Sequence, residues 1–209
     1  MVRAAVRYVD EHGLDALSMH QLGAALGVKA MSLYKHVANK DDLLDGVVDE
    51  LWTEIPVEPQ DQDWREAMRV LARSLRALVH RHPHAAPLLT SRRALPGHAL
   101  EVCETHLRAM REGGVPEQCA VALLRSIVTH GIGYALAELS CFQAQLDDAD
   151  DEISRLRRVT SLLPADASDT LVRTALLVCG DCDMNGGFDI GIDLMIRGLD
   201  AYLTDDAGS

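Results

Sequence analysis

Aromatic residues and long apolar runs are scarce in this chain of 209 residues. Phenylalanine, tryptophan and tyrosine together make up 4% of it, although apolar residues overall make up 48%. A core built mainly from Leu, Val, Ile, Ala and Met favours packed helices, because strands are usually richer in aromatic and β-branched residues. No apolar run reaches the roughly 18 residues of a transmembrane helix, and the N-terminus lacks the hydrophobic segment of a signal peptide. We therefore expect a cytoplasmic protein with no membrane partner.

Cysteine is infrequent, and its five residues are scattered and odd in number. This usage is typical of the reducing cytosol and not of a disulfide framework. Cys179 and Cys182 form a C-x-x-C pair, but a structural zinc site needs four ligands and no second pair is evident. The histidines of "HRHPH" (80–84) are interpreted as the polar end of a helix. We predict no metal and no cofactor. The alternative function is a metal-sensing or thiol-redox-sensing regulator that acts through Cys179 and Cys182.

Sequence signatures of catalysis are also missing. The chain has no nucleophile motif, no phosphate-binding loop and no pair of carboxylates at a spacing typical of acid–base catalysis. We therefore predict that the protein is not an enzyme.

Positive charge is in deficit overall, but the deficit is uneven along the chain. The net charge is −12. Residues 1–46 hold five basic and six acidic residues, a net charge of −1, whereas the remainder holds 15 basic and 26 acidic residues, a net charge of −11. The remainder would repel a polyanion, so a nucleic acid would have to bind at the N-terminal end.

Apolar residues recur at helical spacing along the chain, and neither an alternating strand pattern nor an internal repeat is present. We predict an all-α fold of about nine helices in two parts. The polar stretch "PVEPQDQD" (56–63), with two prolines, is the best candidate for a linker. The most regular stripe follows it, from Trp64 to Leu78, and a long helix is predicted from about Glu117 to Leu146.

The first fifty residues carry the pattern of a helix-turn-helix. Ser18 and Gln21 form a capping box that begins a helix of about two turns, and Gly27 ends it. A short helix over about 30–37 follows at once, and Asn39 with Asp42 caps the next. The second short helix of such a motif enters the major groove of DNA. Val28, Leu33 and Val37 are expected to anchor it, which leaves an opposite face able to contact phosphates and bases: Lys29, Ala30, Ser32, Lys35 and His36.

The segment 16–51 resembles the DNA-binding domain of the TetR family of bacterial repressors. The resemblance rests on "GV" (27–28), "LYKHV" (33–37) and "NKDDLL" (39–44). It implies DNA contacts from eleven residues: Ser18, Met19, His20, Lys29, Ala30, Met31, Ser32, Tyr34, Lys35, His36 and Lys40. Taken singly, Lys35 and His36 are equally compatible with an ordinary solvated helix. Family members usually carry a longer, often basic extension before the first helix, whereas only Met1 and Val2 precede Arg3 here.

The remainder is more weakly similar to the C-terminal part of the tetracycline-repressor subgroup. The resemblance implies a three-helix DNA-binding domain over residues 1–46 and a helical ligand-binding and dimerisation domain over residues 47–209. The apolar stripe of the last helix, with two glycines, suits a helix–helix interface and predicts a homodimer through Ile192, Met195, Ile196 and Leu199. An ordinary core helix is the alternative interpretation of that stripe. A dimer would present two recognition helices to a palindromic operator.

The same resemblance predicts a pocket for a small-molecule effector. Its expected lining is Leu71, Leu75, Leu89, His106, Leu107, Met110, Leu124, Ile127 and Val128, most of which are equally compatible with simple core positions. A magnesium–tetracycline chelate needs oxygen or imidazole ligands, so these leucines favour a largely apolar ligand instead. We predict a ligand-responsive repressor that binds double-stranded DNA until the effector reduces its affinity for the operator.

Overall fold

The computed structural model describes residues 1–57, 63–92, 96–146, 157, 160, 161, 163, 164, 166–179 and 185–206. Within these residues the chain forms helices and no strand, which confirms the all-α prediction. The helices are α1 (Val2–His12), α2 (Met19–Ala25), α3 (Ala30–Leu33), α4 (Lys40–Trp52), α5 (Trp64–Arg81), α6 (Leu88–Ser91), α7 (Gly97–Glu112), α8 (Glu117–Leu146), α9 (Asp169–Cys179) and α10 (Asn185–Asp206).

The N-terminal helices pack through short apolar stripes. Helix α1 contacts α2 and α4, and its Ala5, Val6 and Val9 are buried. It ends at Gly13, which has a φ of +83°, a conformation that glycine adopts without the steric cost that other residues meet. Helix α4 contributes a longer apolar stripe that includes Leu43 and contacts α6 and α7 as well as α1. Helix α4 therefore joins the helix-turn-helix to the helices that follow it.

Helix α3 is shorter than predicted. It covers Ala30–Leu33 and is followed by turns, although a helix over about 30–37 was expected. The amides of His36 and Val37 both bond to Leu33 O, so the chain tightens there. Asn39 has an extended backbone because it caps α4, accepting a hydrogen bond from Asp42 N at 2.9 Å. The chain must leave helical geometry before reaching that cap.

The predicted stripe of α5 forms a buried face. Trp64, Met68, Leu71, Leu75 and Leu78 are all buried. Helix α8 lies against this helix so closely that a Cβ added to Gly131 would be 3.1 Å from Ala72 O. The predicted span of α8 is confirmed at both ends.

Helix α10 is tied to α5 by two arginine–aspartate pairs. The Arg65 guanidinium donates to both carboxylate oxygens of Asp200, at 2.6 and 3.0 Å, and this lowers the pKa of Asp200. One turn further along α5, Arg69 Nε donates to Asp193 Oδ1 at 2.9 Å. These contacts fix the register of α10 along α5.

The end of α5 meets the N-terminal helices at a histidine. His82 lies between two carboxylates, with Nδ1 2.8 Å from Asp10 Oδ2 of α1 and Nε2 3.0 Å from Glu54 Oε1, just after α4. Arg81 also pairs with Glu54, and His84 Nδ1 donates to Asp10 O at 3.0 Å. The "HRHPH" segment is therefore a polar junction among α1, α4 and α5.

One segment among the described helices, Glu117–Ser140 of α8, has the length and mean hydropathy, 1.4, of a membrane span. Core helices of soluble proteins have the same properties, and the buried residues Ala120, Leu124, Ile127 and Ala135 place this one in the core.

The chain divides into two compact units, Met1–Leu136 with Gly191–Ser209, and Ala137–Ile190. The first contains α1–α7. The second contains α9, whose Leu171 and Leu177 are exposed. Most of the predicted linker, residues 58–62, lies outside the described residues.

Candidate nucleic-acid interface and effector site

Helix α2 begins as the capping box predicts. Ser18 has an extended backbone, and its Oγ accepts a hydrogen bond from Gln21 N at 3.1 Å. His20 is exposed beside it. Met19 is buried together with Leu22, because both lie on the inward face of α2. The predicted DNA contact of the Met19 side chain is therefore corrected: Met19 belongs to the small core of the motif.

The turn between α2 and α3 depends on two glycines. Gly27 has a φ of +67°, which favours glycine. Gly23 O accepts a hydrogen bond from Val28 N at 2.9 Å, and a Cβ on Gly23 would lie 2.9 Å from Val28 O. The backbone just before α3 therefore contacts the backbone of α2 directly, and this contact sets the angle between the two helices.

Helix α3 and the turns after it are anchored at two points. Leu33 and Val37 are buried as predicted, but the side chain of Val28, the third predicted anchor, is 43% exposed. Most of the other predicted contact residues in this region are exposed: Lys29, Met31, Ser32, Tyr34, Lys35, His36 and Lys40; Ala30 is partly exposed. The apolar side chain of Met31 is 74% exposed and does not pack in the core of the motif. The exposed side chains of this region supply both hydrogen-bond donors and apolar atoms.

All three lysines of the chain lie in residues 29–40, in an otherwise acidic protein. Lys29 caps α3, Lys35 follows α3, and Lys40 is the first residue of α4. The amides at the start of α4 and the dipole of that helix attract anions, and Lys40 adds a full charge at the same place. This surface is suited to a phosphate backbone.

The residues of the predicted effector lining differ in their exposure to solvent. Leu71, Leu75, His106, Met110, Leu124 and Ile127 are buried, whereas Leu89, Leu107 and Val128 are partly exposed. His106 Nδ1 donates to Val102 O at 2.7 Å, and burial lowers the pKa of His106. The neutral ring then carries an acceptor at Nε2.

A cavity of about 350 Å³ lies between α7 and α8. It is lined by Leu100, Cys103, Glu104, Leu107, Arg111, Glu117 and Ala120, so it shares only Leu107 with the predicted lining. Burial raises the pKa of the Cys103 thiol, which keeps it protonated. The spacing of Leu100, Cys103 and Leu107 is itself a helical stripe, and this was the sequence signal for a second apolar face on α7.

The predicted dimer residues of α10 divide between two faces. Ile192 and Ile196 are 0% and 1% exposed within the chain itself, and Met195 and Leu199 are partly exposed. The first two are corrected to core positions, because a side chain already buried adds no interface area. Leu194 and Tyr202 are 66% and 55% exposed, and Gly198 lies between them at helical spacing. This second stripe, which the sequence reasoning missed, is an exposed apolar surface on α10.

Among the described residues no group of three or more histidine, cysteine, aspartate or glutamate side chains is placed to hold a metal ion. Cys182 of the proposed sensing pair lies outside the described residues, and so does the side chain of Cys179.

Two family models together match most of the chain. "Bacterial regulatory proteins, tetR family" matches residues 2–47, and "Tetracyclin repressor-like, C-terminal domain" matches residues 55–203. The chain belongs to the TetR family of bacterial regulators. The resemblance inferred from the helix-turn-helix motifs is thereby confirmed, and TetR relatives are transcriptional regulators and not enzymes.

One curated TetR relative is the HTH-type transcriptional repressor DrrR1 of Streptomyces coeruleorubidus. It is 35% identical over 141 residues, which are 66% of this chain and 52% of that protein. The chain therefore spans about half the length of this relative.

Two solved TetR-family structures are also similar to this chain. The Streptomyces coelicolor protein ActR in complex with actinorhodin is 31% identical, with a TM-score of 0.80, over 96% of this chain and 95% of that one. BioQ with its natural double-stranded DNA operator is 31% identical, with a TM-score of 0.59, over 66% of this chain and 85% of that one. TetR-family repressors bind DNA operators and respond to small-molecule ligands.

Proposed function

We propose that this TetR-family protein is a cytoplasmic repressor that binds a palindromic operator as a homodimer and is released by a small, largely apolar ligand. The observation that carries the proposal is the surface around α3. The three lysines of the chain lie in or beside this recognition helix, and the buried side chains of Leu33 and Val37 anchor it to the core. Residues 1–46 would form the DNA-binding domain and residues 47–209 the ligand-binding and dimerisation domain, in keeping with the family matches over 2–47 and 55–203.

The DNA contacts divide by chemistry. Lys29, Lys35 and Lys40 neutralise phosphates or, for Lys35, donate to guanine. The other side chains of this surface that read or touch DNA are His20, Ala30, Met31, Ser32, Tyr34 and His36, and Ser18 supports them by capping α2.

Dimerisation uses the exposed stripe of α10. Leu194 and Tyr202 supply apolar area, Gly198 permits close approach of a second helix, and the partly exposed Met195 and Leu199 border the contact. A two-fold axis there presents two recognition helices about 34–36 Å apart, one turn of DNA. The structure of ActR in complex with actinorhodin supports the binding of a small-molecule effector. The apolar residues that α7 contributes to the cavity support an apolar ligand.

Selection of tight-binding duplexes from random DNA at physiological salt tests the proposal. We expect an enriched palindrome that the variant with Lys35→Ala and His36→Ala no longer selects. Arg125→Ala, which removes an exposed positive charge from α8, is the matched control and should select the same sequence. Enrichment no greater than for random DNA would refute operator recognition by this chain.

A further inference from the structure

Three carboxylates surround the start of α4, where a phosphate is expected. Asp41, Asp42 and Asp45 all follow Lys40 within two turns. Asp42 is engaged locally, since its Oδ2 accepts a hydrogen bond from Ala38 N at 2.8 Å. Asp41 and Asp45 lie one turn apart on the same face of the helix. Uncompensated, these charges would oppose the attraction that Lys40 and the helix amides exert on a phosphate.

One arginine from a distant part of the sequence engages both of these aspartates. Arg92, which ends α6, donates from Nε to Asp45 Oδ1 at 2.6 Å and from Nη1 to Asp41 Oδ1 at 3.0 Å. Its Nη2 also donates to the Asp41 backbone carbonyl at 3.0 Å. The Arg92 side chain is only 20% exposed, whereas those of Asp41 and Asp45 are 79% and 51% exposed. The guanidinium is thus held in place, and the two hydrogen-bonded aspartates raise its pKa.

The bond to the Asp41 carbonyl distinguishes this contact from a simple surface ion pair. Bonds to two side chains and one backbone atom fix the position of the first turn of α4 as well as its charge. Lys40 and the Asn39 cap belong to the same turn. Arg92 therefore acts on the turn of α4 that directly follows residues 29–38 of the recognition surface in the chain.

We propose that Arg92 is a positioning residue for operator binding, which cancels the charges of Asp41 and Asp45 and holds the start of α4 where its amides and Lys40 meet a phosphate. The inference rests on the proposed function, because it requires that residues 29–40 contact DNA. Arg92 itself does not need to touch the operator.

A double-mutant cycle in the full chain tests this role. The variants are Arg92→Ala, the pair Asp41→Asn with Asp45→Asn, and all three changes together, and fluorescence anisotropy measures operator affinity. We expect Arg92→Ala alone to weaken binding about tenfold at 50 mM salt and clearly less at 200 mM, since exposed charges are screened. In the asparagine background the same substitution should cost less than about twofold, because no carboxylate remains to be compensated.

Two controls separate the inference from a purely structural effect. Arg125→Ala removes one exposed positive charge elsewhere and should leave affinity within about twofold at both salts, since this part of α8 lies outside the expected DNA surface. Thermal unfolding of each variant shows whether binding losses follow losses of folded protein. An equal loss of affinity for Arg92→Ala in both backgrounds, or no loss in either, would overturn the proposal while leaving operator binding intact. Failure of the unmodified chain to bind any operator would refute the proposed function and this inference with it.

Discussion

Removal of the Lys35 charge gives a sharp test of the DNA-binding surface. Lys35 is exposed, and among the described residues no carboxylate pairs with it, so its full charge is available to a phosphate. Lys35→Ala changes the net charge from −12 to −13. Its backbone lies in the turns after α3, outside the buried residues, so the fold should be unaffected.

The magnitude follows from counterion release. Each neutralised phosphate contributes about 0.9 to the slope of log affinity against log salt concentration, so two protomers lose about 1.8. Between 50 and 200 mM salt, a fourfold change, the advantage of the unmodified protein over Lys35→Ala should shrink by about tenfold. The assay is anisotropy of a labelled operator at four or more salt concentrations.

The matched control is Arg125→Ala, which carries the same change in net charge far from α3 in sequence. It should leave the slope unchanged. Equal slopes for the unmodified protein and Lys35→Ala would refute a phosphate contact by Lys35. A slope reduced as much by Arg125→Ala would mean that net charge, and not the position of the lysine, governs binding.

Three further predictions test the fold. Because burial lowers the pKa of His106 below its ordinary 6.5, the unfolded chain gains a proton before the folded one as pH falls; stability should decline from about pH 7 to pH 5, and His106→Gln should flatten that decline in thermal melts. Gly131→Ala should be less stable than Gly133→Ala by about 1–3 kcal/mol in urea titrations, because only the first added Cβ meets α5 backbone, and similar stabilities would contradict the α5–α8 packing. Asn39→Ala should lower stability by about 1 kcal/mol through loss of the α4 cap, and an unchanged urea midpoint would argue against it.

Local sequence signals predicted those parts of the structure that depend on near neighbours. The stripe from Trp64 to Leu78 formed a single buried face, and the caps at Ser18 and Asn39 are both present. Periodicity and capping act over a few residues, so one sequence suffices to recognise them.

Other features depended on which of two apolar faces meets the core. Ile192 and Leu194 are both apolar, yet one is buried and the other exposed, and the sequence of α10 alone does not rank them. Met19 was given a DNA contact by resemblance, whereas the packing of α2 buries it. Arg92 lies 51 residues from Asp41, a separation over which a helical pattern carries no information.

The contacts of His82 with Asp10 and Glu54 suit α4 to transmit movement. His82 bonds to Glu54 just after the C-terminal end of α4, and Arg92 bonds to the N-terminal end of the same helix. The short segment 82–92 therefore holds both ends of a helix of 13 residues, about 20 Å long. If these two contacts were displaced relative to each other by about 1 Å across the helix axis, the helix would rotate by roughly 3°. The start of α4, which follows the recognition surface directly in the chain, would swing with it. A small displacement within segment 82–92 would thus be passed on to the residues that connect α3 to α4.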